Sequence, residues 1–233
     1  MGRVLVTGSA GLVGAAVVDR LRSDGNDVVE FDLVAGDDVC DPAVLASAMD
    51  GCDVAVHAAA IPNDSRGTLD QIMRTNVEGT RNLLAAASGA GVRRVVFLSS
   101  AQVFGYLEGQ GIPSRLPVSD QHPRLARRPY GISKCLGEDL CATWSGRTGI
   151  PTVALRPVRV IDEETFGSSS WRDFELGGFV HVDDLAGAVL AAIDAPLDEV
   201  PGAHLRVVIS TAGAYDTSLA RRLLAWAPRR QVL

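Results

Sequence analysis

The chain of 233 residues contains a single lysine, Lys134, although lysine and arginine together number 22. Every other cation is therefore an arginine. Cations are also outnumbered, because aspartate and glutamate number 28 and the formal net charge is -6. That balance argues against nucleic acid or an anionic membrane as the main partner, since both attract a basic face. The arginine pairs at positions 93–94, 127–128, 221–222 and 229–230 are dispersed among acids, and most of these residues read as solvated surface. The four cysteines, Cys40, Cys52, Cys135 and Cys141, lack the paired CxxC spacing of a zinc centre and the density of a secreted disulfide scaffold. No metal is expected, and the thiols are expected to be reduced. No apolar run is long enough for a membrane span, and the N-terminus runs directly into a strand pattern rather than a signal sequence. A soluble, cytoplasmic protein is the expectation. With 47% hydrophobic residues the chain can bury one substantial core, and residues 1–233 are read as a single domain.

What is present centres on Tyr130-Gly131-Ile132-Ser133-Lys134. Four residues are just over one helical turn, so the tyrosine and the lone lysine share a helix face, where an ammonium lowers the pKa of a neighbouring phenol. An arginine would be bulkier, planar and always charged, and so a poorer partner for a tyrosine in proton transfer.

Upstream, Val4-Leu5-Val6-Thr7 is an unalternated apolar run, the pattern of a strand covered on both faces. It ends in Gly8-Ser9-Ala10-Gly11-Leu12-Val13-Gly14, after which Val13, Ala16, Val17 and Leu21 recur at helical spacing. A second strand, Val28 to Phe31, stops at Asp32. Strand, glycine turn, helix and strand, with an acid 24 residues after the first glycine, is a dinucleotide-binding pattern. The glycines let backbone approach a pyrophosphate, the helix N-terminus supplies N–H donors, and Asp32 accepts from a ribose diol. A carboxylate there repels a 2′-phosphate and no arginine follows in Leu33-Val34-Ala35, so NAD is expected over NADP.

The alternation continues with a helix over Pro42 to Met49, a strand over Val54 to His57 running into Ala58-Ala59-Ala60, a long helix over Leu69 to Ala87, and a strand over Arg94 to Leu98 that Ser99-Ser100 terminates. His57, inside an apolar strand, is read as a hydrogen-bonded core histidine. Asn76 sits mid-helix, where it is a modest liability. Ser100 arrives at the carboxyl edge of a parallel sheet, where ligands of such sheets bind. The stretch from Gly105 to Pro129 reads as a substrate-side flap, followed by the Tyr130 helix, a strand at Pro151 to Pro157, a loop over Asp162 to Gly178, a helix over Val182 to Ile193, a strand at Leu205 to Ile209 and a short helix over Ser218 to Trp226. The fold class expected is α/β, a Rossmann-like doubly wound parallel sheet with a reduced C-terminal substrate-binding portion, its substrate-side elements near 105–129 and 159–204.

Taken together, the glycine turn, Asp32, Asp37-Asp38-Val39, His57-Ala58-Ala59-Ala60, Thr75-Asn76-Val77-Glu78-Gly79-Thr80, Ser99-Ser100, Tyr130 with Lys134, Leu155-Arg156-Pro157 and Phe179-Val180-His181-Val182-Asp183-Asp184 resemble the extended short-chain dehydrogenase/reductases, the NAD-dependent epimerase/dehydratase group. The resemblance runs from Val4 to about Ile209. It implies that Tyr130 exchanges a proton with a substrate oxygen while hydride moves to or from the nicotinamide. It further implies that Lys134 lowers the phenol pKa and holds the nicotinamide ribose, that Ser100 hydrogen-bonds the reacting oxygen, and that Asn76 supports the lysine. Gly8, Gly11, Leu12, Val13, Gly14, Asp32, Asp38, Val39, Ala58, Ala59, Ala60, Lys134 and Pro157 would hold the cofactor, with Asp38 and Val39 at the adenine.

Departures from the group's pattern narrow the reaction. Dehydratases carry an acid pair after the catalytic hydroxyl residue, whereas Ser100 is followed by Ala101-Gln102, so water elimination lacks its acid and base. The short C-terminal portion leaves little room for a nucleotide sugar, which favours oxidation or reduction of a smaller, sugar-like molecule. Ser133 to Glu138, Ser170-Trp171 and Leu224 to Pro228 resemble uronate dehydrogenases, although Gln102 stands where those have a histidine and no arginine occupies Thr165 to Ser170; Arg159 or Arg172 are the candidates to compensate. A nucleotide-sugar epimerase and a non-catalytic dinucleotide sensor are the alternatives. The family implies a homodimer paired through the Leu69 and Tyr130 helices, with Leu140 and Trp144 in the seam.

Overall fold

The computed structural model describes residues 2–108, 113, 115–168, 178–197, 203–211 and 213–230. The first half alternates strand and helix: β1 (Arg3–Thr7), α1 (Leu12–Ser23), β2 (Asp27–Phe31), α2 (Pro42–Met49), β3 (Val54–His57), α3 (Leu69–Ile72), a π-helical segment (Met73–Glu78), α4 (Gly79–Ala90) and β4 (Arg94–Leu98). The second half continues with α5 (Pro129–Thr148), β5 (Thr152–Pro157), β6 (Val160–Ile161), α6 (Glu163–Ser168), β7 (Val180–His181), α7 (Val182–Ile193), β8 (His204–Ile209) and α8 (Ser218–Leu224). Six strands form one parallel sheet in the order β2-β1-β3-β4-β5-β8, and β6 pairs with β7 in a small second sheet.

Strand side chains alternate between two apolar layers. Val4, Val6, Val56, Val96, Leu98, Val153 and Leu155 pack with residues of α1, α7 and α8. Leu5, Ala55, Val95, Phe97 and Ala154 pack with α2, α4 and α5. Burial on both faces explains why these strands read as continuous apolar runs, and each large side chain so buried contributes about 1.5–3 kcal/mol. Gly137 lets α5 approach the sheet, because a Cβ there would lie 2.5 Å from the Phe97 ring.

The order reverses between β1 and β3: the chain moves outward to β2 from one and toward β4 from the other. Such a switch point opens a crevice at the carboxyl ends of the strands. Two sequence expectations change here. The helix expected over Leu69 to Ala87 is interrupted by the π-helical segment and runs on to Ala90. The loop expected over Asp162 to Gly178 contains α6, where Asp162 Oδ1 accepts from Thr165 N at 2.8 Å and Phe166 packs on Phe179. Six residues with one large apolar side chain carry too little periodicity to announce a helix. Residues 169–177, with Ser170, Trp171 and Arg172, lie outside the described residues.

Candidate active site

At the switch point lies a cleft of about 500 Å³ whose lining includes Gly8, Gly11, Asp32, Asp38, Val39 and Cys40 together with Ala58, Ala59, Ala60, Ile61, Arg66 and Arg74. Gly8 holds a φ of +70°, and a Cβ there would stand 2.6 Å from Ala59 N; Gly14 would drive a Cβ to within 1.9 Å of Gly8 O. Gly8 and Gly14 are thus positions that must lack a side chain. Its peptide Gly8 N–H donates to Phe31 O at 2.8 Å, and Asp32 accepts from Ala10 N through one oxygen and from Val34 N through the other, each at 3.0 Å. Each carboxylate oxygen has a second lone pair for a ligand hydroxyl. No side chain caps α1 at Gly11, which leaves first-turn amides such as those of Leu12 and Val13 for an anion. This set fits a dinucleotide: amides for phosphates, Asp32 for a diol, and a cleft within the roughly 300–1,000 Å³ of small-molecule sites.

Beyond the cleft, β4 ends at Leu98 and hands on to Ser99 and Ser100. Ser100 caps a 3-10 turn over Ala101–Phe104, its Oγ accepting from Gln102 N at 3.1 Å. Against this turn packs α5, which carries Tyr130 and Lys134. Both are buried, and the Lys134 ammonium donates to Leu98 O at 2.7 Å, 5.0 Å from the centre of the Phe97 ring and 5.7 Å from that of Tyr130. Burial pushes the Lys134 pKa down to about 8, against the opposing charges of Cys141 and Glu138. The Tyr130 amide donates to Asp64 Oδ1 at 2.8 Å, tying the start of α5 to the loop after β3.

Asn76 does not face water. It is 2% exposed, its Oδ1 accepts from Ile61 N at 2.8 Å, and its Nδ2 donates to Ile61 O at 3.1 Å and to Ser133 Oγ at 2.9 Å. Ser133 Oγ in turn donates to Tyr130 O. The π-helical turn points this amide inward, as such insertions often do at functional sites. His57 is a core residue: Nδ1 lies 2.7 Å from Thr7 Oγ1 and Nε2 3.1 Å from Thr80 Oγ1, and burial, then the Lys134 charge, pushes its pKa down to about 3. Since Thr80 Oγ1 donates to Asn76 O, the Nε2–H tautomer is the one that completes the chain.

Under α5 lies a feature that pattern reading missed. Glu138, fully buried, accepts from Arg156 Nε and an Arg156 terminal nitrogen, each at 2.7 Å, and from Ser99 Oγ at 2.7 Å. Arg206 and Arg124 approach the same carboxylate at 3.2 and 3.5 Å. Arg124 comes from the 105–129 connection, of which the described part from residue 115 onward is bonded to the body of the fold: Leu125 N donates to Val103 O, and Val118 pairs through its backbone with Ala214 and Asp216.

Of the predicted cofactor residues, Gly8, Gly11, Asp32, Asp38, Val39, Ala58, Ala59 and Ala60 line the cleft. Leu12, Val13 and Gly14 form the first turn of α1, while Pro157 ends β5 and Lys134 lies within α5, outside the cleft lining. Arg66 and Arg74 were not anticipated, because nothing in the sequence marks which of many arginines a turn brings to one rim. Among the described residues no group of three or more His, Cys, Asp or Glu could hold a metal ion, and no helix is long and apolar enough to cross a membrane.

The model of the NAD dependent epimerase/dehydratase family matches residues 4–170. The chain is similar to a 3 beta-hydroxysteroid dehydrogenase/Delta 5→4-isomerase of Mycobacterium tuberculosis, 36% identical over 67% of this chain and 46% of the relative. It is also similar to a uronate dehydrogenase of Pseudomonas putida, 29% identical over 66% of this chain and 59% of the relative. The chain thus spans about half the length of these curated relatives. Among solved structures, a short-chain dehydrogenase/reductase superfamily protein of Agrobacterium tumefaciens with bound NAD superimposes with a TM-score of 0.78 at 26% identity, covering 98% of this chain and 93% of that one.

Proposed function

Because the chain belongs to the NAD dependent epimerase/dehydratase family, we propose that it is an NAD-dependent oxidoreductase, moving hydride to or from an alcohol or carbonyl of a small, sugar-like substrate. The observation that carries this reading is the meeting of Tyr130 and Lys134 on α5 with the Ser100 turn at the end of β4, beside the switch-point cleft. When bound, NAD supplies the hydride acceptor or donor at its nicotinamide. Tyr130 exchanges the proton with the substrate oxygen. Lys134 stabilises the phenolate, its ammonium lying 5.7 Å from the centre of the Tyr130 ring, where a positive charge favours the ionised phenol. Ser100 donates to the reacting oxygen, and Asn76 braces the loop after β3 against α5 between Tyr130 and Lys134. Gly8, Gly11, Leu12, Val13 and Gly14 receive the pyrophosphate, Asp32 the adenosine ribose, and Asp38 and Val39 the adenine. Ala58, Ala59 and Ala60 line the cleft beside Gly8, and Lys134 and Pro157 lie on the nicotinamide side.

The similarity to a uronate dehydrogenase supports a sugar acid as the first substrate class to try, and the steroid dehydrogenase relative supports hydroxysteroids as the second. The test is a panel of sugar acids, aldoses and hydroxysteroids with NAD, followed by NADH absorbance. Turnover by the wild type and loss of at least a hundredfold in kcat by Tyr130→Phe are expected, in line with a general acid or base. Full activity in the variant would remove Tyr130 from the chemistry.

The chain is further proposed to form a homodimer through α4 and α5. A groove of about 390 Å³ lined by Leu84, Leu140 and Trp144 supports that seam, and a monomer mass in sedimentation at micromolar concentration would count against it. A cytoplasmic location is in keeping with four free cysteines.

A further inference from the structure

We infer that Arg66 is the phosphate-binding cation of the dinucleotide cleft, held at its rim by a loop that is bonded to the Tyr130 helix. The inference rests on the reading of the cleft as an NAD site and adds to it the residue that neutralises the pyrophosphate. The need is electrostatic. Asp32, Asp37 and Asp38 all line the cleft, and the glycine turn offers amides but no full positive charge. A dianionic pyrophosphate brought there lies in the field of three carboxylates. Lys134 does not compensate, because it is buried in α5 with its ammonium on Leu98 O. The cations that line the cleft are Arg66 and Arg74. Arg74 sits where its carbonyl faces Cys40 Sγ at 3.5 Å, at the Asp38–Cys40 end. Arg66 belongs to the loop that leaves β3 through Ala58 and Ala59, the segment lying against Gly8.

That loop is built to hold its shape. Asn76 takes both backbone groups of Ile61, at 2.8 and 3.1 Å. Asn63 Oδ1 accepts from Ser65 N at 3.1 Å and Ser65 Oγ at 2.7 Å, and Arg66 N donates to Asn63 O at 3.3 Å. The Ile61 side chain lies 3.1 Å from where a Gly67 Cβ would be, closing the loop on itself. Asp64 accepts from Tyr130 N. The backbone of Arg66 is therefore fixed while its side chain is exposed, and among the described residues its guanidinium pairs with no carboxylate. A planar, always charged fork on a fixed stem is what bidentate phosphate binding requires.

The experiment is calorimetric titration of the full chain with NAD, ADP-ribose and adenosine, for the wild type, Arg66→Ala and Arg66→Lys. Arg66→Ala is expected to weaken NAD and ADP-ribose by the same factor, about 10- to 100-fold, to change adenosine affinity less than twofold, and to flatten the salt dependence of NAD binding. Arg66→Lys should recover part of the loss. NAD affinity in Arg66→Ala within twofold of the wild type overturns the inference and leaves the NAD reading intact. A parallel loss of adenosine affinity also overturns it, by making the arginine an adenosine contact or a structural one. A wild type that binds neither NAD nor ADP-ribose overturns both.

Discussion

Glu138 and Arg156 form a bidentate pair with both members essentially shielded from solvent, each N···O distance being 2.7 Å. Glu138 stands one turn beyond Lys134, and its other contact, Ser99, precedes Ser100. The pair therefore joins α5, β5 and the end of β4 beneath the site. Removing one member of such a pair leaves a buried charge alone, which costs about 3–5 kcal/mol. Glu138→Gln is expected to lose about that much in urea unfolding, and a Glu138→Leu, Arg156→Met double variant to lose less than either single change. Burial pushes the Glu138 pKa up, but the Arg156 hydrogen bonds and charge outweigh it and hold the carboxyl below its ordinary value. The unfolded chain binds the extra proton first, so this stability is present above the ordinary carboxylate range and lost as pH falls through the depressed value. The wild-type advantage over Glu138→Gln should shrink in acid.

The glycines of the first turn differ in what they tolerate. A Cβ at Gly14 would meet Gly8 O at 1.9 Å, a backbone atom that cannot swing aside, whereas at Gly11 the nearest atom is the same oxygen at 3.3 Å. Gly14→Ala is expected to destabilise by about 3 kcal/mol and to abolish NAD binding. Gly11→Ala should keep its melting temperature within a few degrees. Equal effects from the two would contradict the packing of α1 on the turn.

Much of this architecture was legible because parallel strands covered on both faces must be apolar throughout. The bounds of β3, β4, α2 and α7 coincide with those read from the sequence. The Tyr130 and Lys134 pairing on one helix face was legible too, since helical spacing is local. What escaped was long-range. Asn76 read as a mid-helix liability because the π-helical turn that aims it at Ile61 and Ser133 has no period of its own to detect. Glu138 sits beside Arg156 and Arg206 only once β5 and β8 are laid against α5, and no spacing in the chain encodes that meeting. Arg66 was hidden for the same reason, one arginine of many until the loop after β3 closed on Gly8.

Lys134 carries a pH signature of its own. Its ammonium is pushed from 10.5 to about 8, first by burial. Between those values the unfolded chain holds a proton that the folded chain has released, so this residue's contribution to stability rises with pH across about 8 to 10.5. That gap corresponds to about 3 kcal/mol. Relative to Lys134→Met, the wild type should gain stability by an amount of that order as pH is raised from 7.5 to 10. Activity should move in the opposite sense, with kcat/KM falling as pH rises through about 8, because the ammonium that holds the phenolate is lost. A kcat/KM that keeps rising to pH 10 would mean that the charge on Lys134 is not required.

The bond from Tyr130 N to Asp64 Oδ1 spans 66 residues and fixes the second residue of α5 to the loop that carries Arg66. A carboxylate at this point also complements the positive end of the helix dipole, a term of about 0.3–1 kcal/mol at exposed positions, and a hydrogen bond to a charged group adds about 1.5–3 kcal/mol. Asp64→Ala removes both while leaving the 20-residue helix and its apolar contacts in place, so global stability should fall by about 2–4 kcal/mol. The functional loss should be double. Freed from Tyr130, the loop holds Arg66 less firmly and NAD affinity drops, and freed from the loop, the first turn of α5 frays and kcat drops with the tyrosine. Asp64→Asn, which keeps an acceptor oxygen without the charge, should restore most of kcat. If Asp64→Ala changes neither NAD affinity nor kcat, the loop and the tyrosine are neighbours without being coupled.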